Sequence, residues 1–356
     1  MVKSEKDSNL LKNNDSNDNI EIKESSKKEV NLKEKTKKSL VLKAIGIIIP
    51  TLAIVLGVGV GLYFGKIYFA TKYDPNAYDI NKIEDKTYDE FYNDYQELLG
   101  SNNGSLENID LSETGKIEPY KIVNFAYGKY IQNEFNYSVS YGTVKAMGTL
   151  TTIRNISIKN NNNFMTESIA KGSGIASSIA TLAKRFYQKE NGDVKVYIGK
   201  DIDENKACYN ENQFDENIKN VTDLENKIGR NYSRPTAYII SSKTCLATSN
   251  IKLIDNYYLI SLDLDPENSV VRYVKQMNYI SNIDYPTFKS INIKFKLTRN
   301  LDLIENEVNE NYIVNQFGMN IETNGYLKEI FHQNENIDIL KLNENYDFKG
   351  DINNEN

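Results

Sequence analysis

The chain has 356 residues and a formal net charge of −6 at pH 7. Because the segment before residue 44 is basic on balance, the remainder is more acidic than the whole, which argues against nucleic acid as a partner. Tryptophan is absent, and the abundant Asn, Lys, Ile and Tyr are the amino acids that AT-rich codons favour, which indicates a low-GC bacterium.

Residues 1–40 are polar, mixed in charge and poor in apolar side chains. A segment of this composition cannot bury enough apolar surface to offset the entropy lost on ordering. We therefore expect a disordered cytoplasmic tail.

The run from Ala44 to Gly65 contains no charged residue. At about 1.5 Å per residue it reaches about 33 Å, enough to cross a hydrocarbon core of about 30 Å. Lysines are concentrated on its N-terminal flank, which predicts a cytoplasmic N-terminus and an extracytoplasmic C-terminal domain. The sequence therefore predicts an uncleaved single-pass transmembrane helix within residues 41–70 of a cell membrane protein. A cleaved signal peptide is the competing interpretation.

Glycines within this span recur at a spacing of four. Gly57, Gly61 and Gly65 form two overlapping G-x-x-x-G patterns, which let two helix backbones approach closely. A homodimer through the membrane helix is one interpretation of this pattern, and a merely glycine-rich membrane helix is the other and the favoured one.

Residues 71–117 are predicted to form a juxtamembrane linker and a helix. The stretch KTYDEFYNDYQELL places aromatic and leucine side chains three and four residues apart, as on one face of a helix. Thr87 is the expected N-cap, with Glu90 as its capping-box partner. Pro119 after Glu118 opens a second helix.

From residue 118 to 340 the pattern indicates an extracytoplasmic antiparallel sheet with a few helices, an α+β fold. Residues 200–232 read as an insertion or mobile lid around a short helix, and 341–356 as a disordered tail. The glycine-rich GSG at residues 172–174 lacks the lysine of a phosphate loop and is expected to be a turn. The predicted strands are a pair within 137–158, then 164–170, 182–188, 194–199, 236–241, 251–264, 288–297, 301–310 and a pair around Asn324–Gly325.

Two cysteines, Cys208 and Cys245, follow the membrane span. Outside the cytoplasm they can oxidise, and a disulfide closing this loop would stabilise the fold by roughly 3 to 4 kcal/mol. Two unrelated thiols are the alternative. Catalysis by a cysteine is disfavoured, because His332 is the only histidine. Asp263 and Asp265 precede a helix and are read as capping groups rather than metal ligands. The sequence thus predicts no catalytic residue, cofactor or metal site.

Three stretches resemble the LolA and LppX group of extracytoplasmic lipoprotein-related domains in the order and spacing of their predicted strands. They are KRFYQKENGDVKVYIG, FKSINIKFKLTRNLDLIENEVNENYIV and MNIETNGYLKEIF. The resemblance implies an open, curved, half-barrel-like sheet whose concave apolar face holds a lipid or an amphiphilic partner. This chain departs from that group in its helical, rather than lipid, anchor.

Three functions follow as hypotheses. The first is a membrane-anchored binding module for a lipid or other envelope ligand. The second is an envelope scaffold or regulatory protein that links the outer domain to the cytoplasmic tail. The third is a cell-wall hydrolase, which would need two carboxylates facing each other across a cleft.

Overall fold

A computed structural model describes residues 74–335, apart from 114, 179, 190, 204–205, 231–233, 282 and 317–318. All described residues belong to the compact unit Ile67–Asn356. The predicted cytoplasmic tail, the membrane span with Gly57, Gly61 and Gly65, and the tail at 341–356 lie outside the described residues. No helix in the described part is long and apolar enough to span a bilayer.

The described chain contains four α-helices, three short 3-10 helices and eleven strands. The helices are α1 (Tyr88–Gly100), α2 (Pro119–Gln132), α3 (Val221–Ile228) and α4 (Val271–Ser281), and the 3-10 turns span Ile80–Lys82, Gly174–Ser178 and Asn268–Val270. The strands are β1 (Phe135–Ala146), β2 (Thr149–Asn160), β3 (Asn163–Gly172), β4 (Leu182–Gln188), β5 (Val194–Lys200), β6 (Cys208–Phe214), β7 (Asn250–Ile254), β8 (Tyr257–Leu264), β9 (Thr287–Thr298), β10 (Leu303–Gln316) and β11 (Met319–Gln333).

All eleven strands form one antiparallel sheet in the order β6-β5-β4-β3-β2-β1-β11-β10-β9-β8-β7. Each half of the chain is a meander of consecutive strands, and the halves meet where β1 pairs with β11, from Asn136↔Gln333 to Ala146↔Thr323. The expected α+β class, a large curved antiparallel sheet with a few helices, is confirmed.

Helix α1 begins at the predicted capping box. The Thr87 hydroxyl accepts from the Glu90 backbone N–H at 3.3 Å, and a Glu90 carboxylate oxygen accepts from the Thr87 N–H at 2.7 Å. These two bonds satisfy backbone donors that lack a partner within the helix. The aromatic stripe of α1 is core, because Phe91 and Tyr95 are buried.

The main core lies between α1, α2 and α4 and the strands β8 to β10. Alternation along β9 points Ile291, Ile293, Phe295 and Leu297 into this core. The Tyr127 ring of α2 meets the Phe295 ring edge-on at 5.8 Å. A second cluster at the other half of the sheet packs Phe186 of β4 against α3 and the end of α4. Each half of the chain therefore supplies helices that cover strands of the other half.

Three sequence predictions about strands are wrong. Residues 208–214 form β6 within the sheet, not part of an insertion. The stretch 236–241 is a loop, although Tyr238, Ile239 and Ile240 in it are buried. Asn324 and Gly325 lie inside the single strand β11, because Gly325 pairs with Glu310 of β10 in an unbroken ladder.

The structure holds Cys208 and Cys245 as free thiols. Cys208 is exposed on the edge strand β6, whereas half-buried Cys245 forms an isolated bridge with Leu264 of β8, near the opposite end of the strand order. The two sulfur atoms are not bonded in this structure, and the disulfide stays a prediction.

Candidate functional site

Strand register divides the side chains of β9–β11 between two faces of the sheet. The row Ile293, Val308 and Leu327 lies on the face covered by helices, which we call the helix face. The row Lys294, Glu307 and Lys328 lies on the opposite face, which we call the outer face. The two faces differ in chemistry, because the helix face carries the main apolar core.

Glu310 is a carboxylate on the helix face, two residues along β10 from Val308. The Tyr238 hydroxyl, from the loop before β7, donates to Glu310 Oε2, and the Tyr273 hydroxyl of α4 donates to Oε1 at 3.3 Å. Two hydroxyls from different covering segments thus converge on one carboxyl group.

Gly325 makes room for this carboxyl group. A Cβ atom at position 325 would lie 2.7 Å from both Cγ and Oε1 of Glu310, closer than side-chain carbons approach. Packing against Glu310 therefore requires glycine at position 325. The Asn324–Gly325 pair has the composition of a hairpin turn, but in the structure it lies within the ladder between β10 and β11.

Aromatic rings surround the carboxyl group. Ring centroids are 4.9 Å apart for Tyr238 and Tyr273, 5.6 Å for Tyr273 and Phe288, and 5.0 Å for Phe288 and Tyr312. Burial among these rings raises the pKa of Glu310 to about 7, although the two tyrosine hydroxyls lower it. A carboxyl group that titrates near neutrality in a mostly apolar setting is a candidate functional group.

A second carboxylate, the half-buried Glu329, lies farther along β11 on the same face. Its Oε1 accepts from the Ser138 hydroxyl at 2.6 Å and its Oε2 from the Asn306 amide at 3.0 Å. Burial raises the pKa of Glu329, and these two donors oppose the rise. Glu329 stands four positions from Gly325, the partner of Glu310, which is about 14 Å along the strand.

A small pocket opens beside Tyr238, between the segment before α1 and the loop before β7. It is open to solvent and has room for about one water molecule. The lining residues are Glu84, Asp85, Lys86, Tyr88, Phe91, Asn124, Arg234, Tyr238 and Ile240. Tyr238 therefore both lines this pocket and bonds Glu310.

Charged side chains hold one wall of the pocket in place. Glu84 Oε1 accepts from Nη1 of Arg234 at 2.7 Å and also from the guanidinium of Arg272 on α4. The Arg234 guanidinium lies 5.4 Å from the centre of the Tyr88 ring. This ion-pair cluster fastens α4 and the loop before β7 to the segment that leads into α1.

The structure does not bring the sequence-predicted residues into this site. Cys208 and Cys245 lie elsewhere, and Gly57, Gly61 and Gly65 are outside the described residues. Sequence reasoning missed Glu310, although one signal was present: it is an acidic side chain at an inward position of a strand where Val308 and Tyr312 are apolar.

No protein-family model matches the chain, and no curated protein matches it at a significant level. Among solved structures, it is similar to a DUF1329 family protein from Desulfovibrio piger, with 8% identity, coverage of 62% of this chain and 93% of that chain, and a TM-score of 0.24. It is also similar to an N-terminal dehydratase from the difficidin assembly line (10% identity, 59% and 82% coverage, TM-score 0.13) and to the 12:0-ACP thioesterase from Umbellularia californica (7% identity, 71% and 92% coverage, TM-score 0.15). Likenesses this weak transfer neither a fold family nor a function to this chain.

Proposed function

We propose that the chain is a membrane-anchored, extracytoplasmic binding module that holds an amphiphilic ligand against the helix face of its sheet. Glu310 with its two tyrosine hydroxyls is the observation that carries the proposal. The polar end of the ligand binds at this carboxyl group, and its apolar part lies along the neighbouring apolar side chains. The strand rhythm shared with the LolA and LppX group supports a ligand of this kind.

The surroundings of Glu310 suit a molecule with one polar end. Val308 and Tyr312 flank it along β10, and Ile291 is its neighbour on β9. Ligand sites are commonly apolar, with a few polar groups that fix the orientation of the ligand. A carboxyl group near its pKa can accept a hydrogen bond when ionised and donate one when protonated, so it can bind a hydroxyl or a carboxyl head group.

Entry of a ligand requires the covering segments to move. The open pocket beside Tyr238 has room for only about one water molecule and cannot hold an amphiphilic ligand as it stands. Tyr238 and Tyr273 belong to the loop before β7 and to α4, and their hydroxyls bond the carboxyl group directly. The ligand head group replaces one or both of these hydroxyls, and the loop or α4 shifts outward to admit it.

Photocrosslinking of the full chain tests this function. The chain is reconstituted in lipid vesicles with a diazirine-bearing fatty acid, irradiated, digested and analysed by mass spectrometry. We expect labelling in peptides that contain residues 234–245, 271–281 and 303–316. The substitution Glu310→Gln lowers this labelling about ten-fold, because one of two acceptor oxygens becomes a donor.

The matched control is Glu305→Gln, which changes a carboxylate of the same strand on the outer face, where Glu305 pairs with Lys328 at 3.0 Å. It should leave the labelling unchanged. Labelling that is spread evenly over the domain, or that is equal in both variants, would overturn the proposed ligand site.

The proposed anchor is the apolar run Ala44–Gly65, and the lysines before it support a cytoplasmic N-terminus. Protease added to intact cells should then digest the sheet domain and leave the N-terminal tail protected. The proposed membrane-helix dimer through Gly57, Gly61 and Gly65 should weaken when Gly61 is replaced by leucine. Protection of the sheet domain from external protease would refute the orientation.

A further inference from the structure

The outer face of β7, β8 and β9 carries a compact group of apolar and basic side chains. Strand register aligns Lys252, Leu259 and Lys296 in one row across the three strands. The next row contains Ile254 and Tyr257, and Lys294 lies in the row on the other side, opposite Ser261. We call Lys252, Ile254, Tyr257, Leu259, Lys294 and Lys296 the outer patch.

The apolar members of the outer patch face solvent. Ile254 is 45% exposed, Tyr257 38% and Leu259 37%. These three neighbours lie on one hairpin, so they form a contiguous apolar surface instead of scattered single residues. An exposed apolar surface with a polar rim commonly marks an interaction site.

The lysines of the outer patch have no carboxylate partner among the described ion pairs. Their neighbours on β10, Glu305 and Glu307, bind Lys328 of β11 instead, at 3.0 and 3.8 Å. Lys296 lies over the Tyr257 ring, 4.5 Å from its centre. The positive charge at the rim is therefore available to an external anion.

Protection of the sheet edge does not account for these lysines. A lysine on an edge strand discourages pairing with another chain, and Lys252 on β7 fits that role. Lys294 and Lys296, however, lie on β9, two strands inward from the edge. Their position around an exposed apolar centre requires a different explanation.

We propose that the outer patch docks on the surface of a bilayer that contains anionic phospholipid. Ile254, Tyr257 and Leu259 enter the boundary between head groups and acyl chains, where an aromatic ring with a polar hydroxyl is well accommodated. The three lysines extend their alkyl stems past these side chains and place their ammonium groups at the lipid phosphates. This inference rests on the membrane location proposed above, but not on a ligand at Glu310.

The absence of tryptophan from the sequence permits a direct test, because a single introduced tryptophan is the only one in the chain. The full chain carrying Leu259→Trp is reconstituted with vesicles of phosphatidylcholine alone, or with 30% phosphatidylglycerol, in which the acyl chains are brominated. Bromine quenches indole fluorescence at short range. The matched control is Tyr326→Trp, which changes an outer-face side chain of β11 that is 40% exposed and lies outside the outer patch.

We expect emission from Trp at position 259 to shift to shorter wavelength and to be quenched in the anionic vesicles, and much less in the neutral ones. The control at position 326 should be quenched in neither. Adding Lys252→Gln, Lys294→Gln and Lys296→Gln to the Leu259→Trp chain should weaken the binding of the patch about five-fold per lysine, or about a hundred-fold in all.

The inference would be overturned by equal quenching at positions 259 and 326. It would also be overturned if quenching at position 259 changed neither with phosphatidylglycerol nor with the lysine substitutions. Failure of the proposed function looks different. Loss of the anchor appears as release of the chain from neutral vesicles, and loss of the ligand site appears as unchanged crosslinking in the Glu310→Gln variant.

Discussion

Replacing Glu310 with glutamine should remove a specific pH dependence from the stability of the domain. The carboxyl group has an ordinary pKa of 4.5, and burial raises it to about 7 in the folded protein. Between these values the folded state binds more protons than the unfolded state, so the free energy of unfolding falls as the pH rises. The stabilisation is complete below about pH 4.5 and is lost as the pH passes about 7.

The magnitude follows from the size of the shift. At 1.36 kcal/mol per pKa unit, a rise from 4.5 to about 7 corresponds to roughly 3 kcal/mol. Glutamine has nearly the same shape and can still accept from one tyrosine hydroxyl, but it does not titrate. The difference in unfolding free energy between the wild-type chain and Glu310→Gln should therefore change by roughly 3 kcal/mol between pH 4.5 and 8.

Urea unfolding at a series of pH values, followed by circular dichroism, measures this difference. Subtracting the two curves cancels the contribution of the other titrating groups, including Glu329. Glu97→Gln, at an exposed position of α1, is the control and should give a curve parallel to the wild type. If the curves for the wild type and Glu310→Gln also run parallel, Glu310 does not titrate near neutrality and the assignment of the site fails.

Three further predictions concern stability and thiol chemistry. Gly142→Ala should destabilise the fold by several kcal/mol, because the new Cβ would lie 2.1 Å from a backbone oxygen of β11, whereas Gly100→Ala, with open space around it, should cost less than about 0.5 kcal/mol in the same urea assay. Thr87→Ala should lower the free energy of unfolding by about 1 kcal/mol through loss of the capping box, and Thr87→Ser should restore it. Iodoacetamide at pH 8, followed by mass spectrometry, should modify exposed Cys208 rapidly and Cys245 only after unfolding, because burial raises the pKa of the Cys245 thiol to about 12; resistance of both to alkylation until a reductant is added would show a disulfide.

Local signals in the sequence predicted the elements whose cause is local. The capping box at Thr87 and Glu90 depends on residues three apart, and it appears at the start of α1 as expected. The alternation from Phe288 to Leu297 depends only on the two-residue period of a strand, and β9 follows it. Such features need no knowledge of the remote chain.

Elements that depend on remote partners were not predictable in this way. Asn324–Gly325 matches a two-residue hairpin turn, yet the glycine is needed because the Glu310 side chain of the neighbouring strand occupies that space. Strand β6 is polar, with the sequence CYNENQF, and it becomes a strand by pairing with β5 at the sheet edge. In both cases tertiary pairing overrides the local pattern.

The candidate site around Glu310 could not be predicted from the sequence for a related reason. The sequence has 49 acidic residues, and composition does not show which of them fold inward. What distinguishes Glu310 is its pairing with Gly325 and the convergence of Tyr238 and Tyr273, which lie 72 and 37 residues away in the chain. The inward position of an acid between Val308 and Tyr312 was the available clue.

The way in which each half of the chain covers strands of the other half has a consequence for assembly. Helices α1 and α2 belong to the N-terminal half but pack on β8–β10, and the end of α4 in the C-terminal half packs near β4. A backbone cut between α3 and β7 would leave two fragments, each with a meander whose apolar side has lost the helices that the other fragment supplies. Co-expressed fragments should therefore recombine through the β1–β11 ladder. In the intact chain, the slow step of folding should be the docking of the two halves on each other, because these contacts join residues that are far apart in the sequence.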